Sequence, residues 1–95
     1  MLALPEVLNL STASACLRSL SDQLAQQPAE VVVDAARLGQ FDSAALAVLL
    51  ELRRRALSQG KTFAVQSQPR HLSDLARLYG ITELLPAEPQ AAPVK

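Results

Sequence analysis

Two short β-branched runs, EVVVD at residues 30–34 and TFAVQ at 62–66, stand either side of one helix-patterned stretch, FDSAALAVLLELRRR, Phe41 to Arg55. Strand, helix, strand at this spacing is a crossover connection, which makes the two strands of one sheet parallel. EVVVD does not alternate apolar with polar, as expected of a strand covered on both faces or lying in the middle of a sheet. The fold class that follows is α/β: a small mixed β-sheet with parallel central strands, covered by α-helices in a two-layer sandwich.

The remaining segments fit that plan. Leu2 to Leu4 and Val7 to Leu8 are short strand candidates, with Pro5 suited to an edge because it has no N–H to donate. Between residues 11 and 26, Ala13, Cys16, Leu17, Leu20 and Leu24 recur at spacings of three and four, an amphipathic helix that ends before Pro28 and can be capped by Ser11 or Thr12. Gly60 stops the central helix. Pro69 at a first helical position, Leu72, Leu75, Ala76 and Tyr79 on one face, and Gly80 past the end describe a third helix. ITELL, residues 81–85, adds a short strand or turn. Residues 1–86 are expected to form a single domain, and the Pro/Ala-rich residues 87–95 a disordered tail.

Such a core must be built from Leu, Val and Ala, because hydrophobic residues make up 49% of the 95 residues and aromatics 3%. Nine basic residues balance nine acidic ones, so the positive footprint of a nucleic-acid binder is missing. The lone Cys16 excludes an internal disulfide and a multi-cysteine metal site, and reads as a small buried hydrophobe in a reducing compartment. MLALPEVLNL has neither a basic n-region nor a long apolar run, so no signal peptide or membrane span is expected and the chain should be cytosolic.

The central helix is more apolar than a sheet-covering helix requires. At 100° per residue, Leu46, Leu49, Leu52, Leu57, Ala45 and Ala56 fall in one arc, the face toward the sheet. Glu51, Arg54, Arg55 and Ser58 lie opposite. In the first two turns, however, Ala44, Ala47 and, at the margin, Val48 and Leu50 point outward beside Ser43. This makes a smooth apolar patch around one hydroxyl. Asp42 is a natural N-cap there, its carboxylate suited to the positive end of the helix dipole. A phosphate on Ser43 could accept from free backbone N–H groups, although Asp42 would repel it.

The segment VVVDAARLGQFDSAALAVLLELRRRALSQGK, followed by a strand and LARLYGI, resembles the STAS domain: a strand ending in Asp, a loop, Asp-Ser, then a helix. Within that superfamily LAVLLELRRRALSQGK and LSDLARLYGITELLP are most similar to the MlaB type, the small STAS subunit of an ABC transporter that moves phospholipids to maintain outer-membrane lipid asymmetry. LALPEVLN matches the second strand of that type, which implies that the usual first strand is missing. The resemblance implies a STAS fold and a non-catalytic subunit that binds and regulates the transporter ATPase, and through it meets the permease. It would be cytoplasmic, peripheral to the inner membrane through its partner, with no direct membrane insertion. The docking surface it implies comprises Gln40, Phe41, Asp42 and Ser43, with Ala44, Ala47, Leu50 and Arg54 along the helix. Small residues usually follow the hydroxyl in the family, often Ser-Gly or Gly-Gly, and Ala44 and Ala45 keep the size without the backbone freedom. The alternative is an anti-sigma factor antagonist whose partner is an anti-sigma factor kinase, with Ser43 as the phosphosite.

Other residues suggest less. Arg53, Arg54 and Arg55 point about 100° apart and cannot form one patch; Arg53 is expected to snorkel past the core edge. His71 is the only histidine, with Asp74 three residues on. Ser43, His71 and Asp34 could be assembled on paper into a triad, but no motif fixes their geometry, so the chain reads as no enzyme, with no cofactor and no metal. Asp34 is expected to receive backbone N–H bonds from its loop. Of Leu78 and Tyr79, one should be buried and the other partly exposed.

Overall fold

The computed structural model of the chain describes residues 1–87; the expectation of a disordered tail falls, from residue 88 onward, outside the described residues. The elements run β1 (Leu2–Ala3), β2 (Val7–Leu8), α1 (Ala13–Leu24), β3 (Glu30–Asp34), β4 (Gln40–Phe41), α2 (Ala44–Ser58), β5 (Thr62–Gln66) and α3 (Arg70–Leu78), then a 3₁₀ turn at Thr82–Leu84. ITELL is thus a turn rather than a strand.

β1, β3 and β5 form one sheet in that order, and β2 pairs with β4 in a second. Every pairing is parallel, so the expected mixed sheet has only parallel partners among the described residues. β3 and β5 lie side by side with Val31 opposite Phe63 and Val33 opposite Val65, the crossover geometry that the two runs predict. Of the two reasons for the unalternated EVVVD, position in the middle of the sheet is the one realised. Its burial does alternate: Val31 and Val33 are enclosed while Val32 is half-buried.

The core lies between the sheet and the helices. Leu2, Val31, Val33, Phe63 and Val65 from the strands cluster with Leu20 and Leu24 of α1, Leu49 and Leu52 of α2, and Leu72 and Ala76 of α3. Both helix stops are glycines with positive φ, Gly60 at 76° and Gly80 at 70°. In each, the next N–H reaches back to close a Schellman turn, Lys61 to the Ala56 carbonyl and Ile81 to that of Ala76, a conformation that costs glycine nothing. Lys61 also ties α2's exit to α1: its Nζ donates to the carbonyls of Leu24, Ala25 and Gln27, placing a cation at the negative end of α1.

Four local expectations are corrected. Val48 is 3% exposed and belongs to the core, whereas Leu57 is 47% exposed; α2 is rotated toward Val48 because it packs against α1 as well as the sheet. Neither Ser11 nor Thr12 caps α1. Asn9 instead orders the turn before the helix: its amide oxygen accepts from the N–H groups of Ser11 and Thr12, while the Thr12 hydroxyl accepts from Asn9 N–H; α1 itself starts with no side-chain cap. Pro69, at ψ 148°, stands just before α3 rather than in its first turn, and its carbonyl accepts from Ser73. Leu78 and Tyr79 are both exposed; Gly80 turns the chain at the end of α3, and Ile81 packs against the core in their place.

Candidate functional site

The exposed start of α2 is built by its preceding strand and loop. Asp34 ends β3, and its Oδ1 accepts from Ala36 N–H at 2.9 Å, the loop contact expected of it. The N–H groups of Gly39 and Gln40 both donate to the carbonyl of Glu6, which pins the loop against the segment leading into β2. The chain thereby enters β4 in register with Val7 and Leu8. Sequence reading gave β4 as loop; two residues carry no periodicity.

Asp42 is the chemical cap. Ser43 already has helical angles, φ −63° and ψ −15°, and Asp42 Oδ1 accepts from Ala44 N–H at 2.8 Å. Its second oxygen, Oδ2, accepts from the N–H of Leu10 at 3.2 Å. One carboxylate therefore holds the first turn of α2 and the turn after β2 together.

Ser43 is exposed and makes no cap hydrogen bond with its side chain. Ala47 is exposed one turn on, and Ala44 and Leu50 are half-buried. Together with Leu46, Tyr79 and Ile81, residues Ser43, Ala47 and Leu50 line an open groove of about 350 Å³. Tyr79, 57% exposed, is the wall that sequence reading missed, since its helical spacing matched the core face. The signal available was Gly80, which turns the chain so that Ile81 rather than Tyr79 faces inward.

The other expected residues sit around this centre. Gln40 is exposed on β4, and half-buried Phe41 stacks at a tilt on His71, ring centroids 5.5 Å apart. His71 thus packs on an aromatic ring, and Asp74 instead faces Arg77 at 3.9 Å. Arg54 donates to both oxygens of Glu51, at 2.9 and 2.6 Å, and Arg55 adds a third bond at 2.8 Å. These bonds lower the Glu51 pKa to about 2 and raise that of Arg54. Arg55 also reaches Ser21 of α1, so Arg54 and Arg55 share one carboxylate and Arg55 turns on toward α1, while Arg53, half-buried, joins neither.

Chemical machinery is sparse. Among the described residues no hydrogen bond links Ser43, His71 and Asp34, and no three His, Cys, Asp or Glu side chains are grouped to hold a metal ion. Burial pushes the half-buried Cys16 thiol up, away from the thiolate a nucleophile needs. No helix of the described residues is long and apolar enough to cross a membrane. What the site offers is a shaped surface: an exposed hydroxyl, small side chains and an apolar groove.

A parallel sheet under three helices, with a hydroxyl at an Asp-capped helix start, defines a STAS-type domain. Solved structures share the fold, two of them as follows. One is a Thermotoga maritima protein described as an anti-sigma factor antagonist, 19% identical, with a TM-score of 0.74 over 87% of this chain and 73% of that one. The other is an anti-sigma-factor antagonist (STAS) domain protein from Planctomyces limnophilus, 17% identical, with a TM-score of 0.74 over 88% of this chain and 76% of that one. No curated protein sequence matches. The family model described as "Mlab, STAS domain" matches residues 1–86, and the chain belongs to that family.

Proposed function

We propose that this chain is a non-catalytic STAS subunit that docks on the ATPase of an ABC transporter and stabilises it for phospholipid trafficking that maintains outer-membrane lipid asymmetry. It works in the cytoplasm, held at the inner membrane by that partner. The observation that carries the reading is the exposed face of Ser43 and Ala47 beside an apolar groove, in a chain matched to the MlaB-type family. Small side chains let a partner backbone approach closely, and Gln40, Phe41, Asp42, Ala44, Leu50 and Arg54 frame the contact.

Co-purification from its own cells with an ABC-transporter ATPase and permease tests this. Ala47→Glu should abolish co-purification while shifting stability by no more than about 0.5 kcal/mol, as exposed positions away from special features do. If Ala47→Glu binds the ATPase as the unmodified chain does, the docking surface is elsewhere.

A second reading, an anti-sigma factor antagonist switched by phosphorylation, is favoured by the exposed Ser43 hydroxyl. Here Ser43→Ala would block a one-phosphate mass gain on incubation with an anti-sigma kinase. In the transporter reading the same substitution leaves lipid transport intact.

A further inference from the structure

A docking surface confined to the first turns of α2 is too small. Stable protein interfaces cover roughly 800 Å² on each partner, and Ser43, Ala44, Ala47 and Leu50 are mostly small. Something beside them must contribute. On the α3 side the groove wall of Tyr79 does so. On the other side, the Asp42 carboxylate connects Ser43 to the turn after β2, at whose tip stands Leu10.

Leu10 is 82% exposed, more than any other large hydrophobic side chain of the described residues. Single exposed leucines are ordinary on surfaces, but this one sits on a turn tied at every step. Asn9 Oδ1 accepts from the N–H groups of Ser11 at 2.9 Å and Thr12 at 3.2 Å; the Thr12 hydroxyl accepts from Asn9 N–H at 3.0 Å. The N–H of Leu10 itself is held by Asp42 Oδ2. A side chain presented on an already ordered backbone loses little further entropy on binding, so more of its burial appears as affinity.

We infer that Leu10 is an anchor of the docking surface, inserted into an apolar pocket of the same protein that covers Ser43, and that Asp42 is the positioning residue that joins the two. The inference rests on the proposed ATPase reading and adds to it a contact from outside α2. The surface then spans three elements: the turn after β2, the start of α2, and the end of α3.

Affinity for the purified ATPase subunit, measured with the full chain by calorimetry, tests it. Leu10→Ser should weaken binding by about tenfold or more, the effect of withdrawing a buried leucine side chain, with an unchanged melting temperature. Leu57→Ser, at an exposed leucine near the far end of α2, should bind as the unmodified chain does. If Leu10→Ser binds within about twofold of the unmodified chain while Ala47→Glu abolishes binding, the anchor assignment falls and the ATPase reading stands. Equal weakening by Leu57→Ser likewise overturns the anchor. An unmodified chain that fails to bind the ATPase sinks the reading and the anchor together.

Discussion

Asp42 does two jobs with one carboxylate, and both are visible in its hydrogen bonds: Oδ1 caps α2 at Ala44 and Oδ2 holds Leu10. The capping role follows from sequence alone, because Asp before an apolar helix start accepts the free N–H groups of its first turn. The tether to Leu10 does not, since the two residues meet only through the β2–β4 pairing. Asp42→Ala should lower stability by about 1 kcal/mol, the usual worth of a cap, in urea unfolding. Amide hydrogen exchange should quicken at both Leu10 and Ala44; faster exchange at Ala44 alone would show that Oδ2 contributes nothing. Asn9 is the contrasting case. Ser11 and Thr12 are the conventional caps, yet an amide two and three residues upstream takes their N–H groups, a choice made by turn geometry that residue type does not reveal.

At the scale of elements, α2 carries the layer contact and the candidate surface on different sides of one helix. Its wheel places Leu46, Leu49, Leu52, Ala45 and Ala56 correctly, all buried, but misassigns Val48 and Leu57 at the margins of the arc. A wheel assumes one partner; α2 has two, the sheet and α1, and the second extends the buried arc on Val48's side. On the polar side, Glu51 is held by Arg54 and Arg55 at a pKa of about 2, below its ordinary value of 4.5. A carboxylate depressed by folding contributes stability that is complete above about pH 4.5 and is lost as the pH falls through about 2. Melting temperatures of the unmodified chain and Glu51→Gln should therefore differ by a constant amount near neutrality and converge toward pH 2. The difference should be small, because the arginines are solvent-accessible and such pairs are screened. A gap that persists unchanged at pH 2 would show that the ion pairs are not its source.

For the molecule as a whole, stability resides in the single cluster that joins strands to helices. Leu49 is fully buried within it, and Leu49→Ala should cost about 3 kcal/mol through lost burial and the cavity left behind, read as a lower denaturation midpoint. If the cost is under about 1 kcal/mol, α2 is not the helix on which the core depends. The tie from Lys61 to the last carbonyls of α1 makes the two helices one layer, so the surface at the start of α2 is presented by a braced scaffold rather than by an isolated helix.

The sequence by itself determined the crossover unit: β-branched runs at 30–34 and 62–66 became β3 and β5, and the helix between them carries its apolar face where a period of 3.6 puts it. Those are local signals, repeated often enough within each element to survive burial and packing. It also determined the capped start of α2 and both glycine stops, each dictated by backbone chemistry within a few residues. The tertiary structure alone decided what surrounds Ser43. β4 is too short to have a period, Tyr79 shares its spacing with core residues, and Leu10 comes to Asp42 from across the chain. Each of these depends on contacts between residues far apart in sequence, which no local pattern encodes.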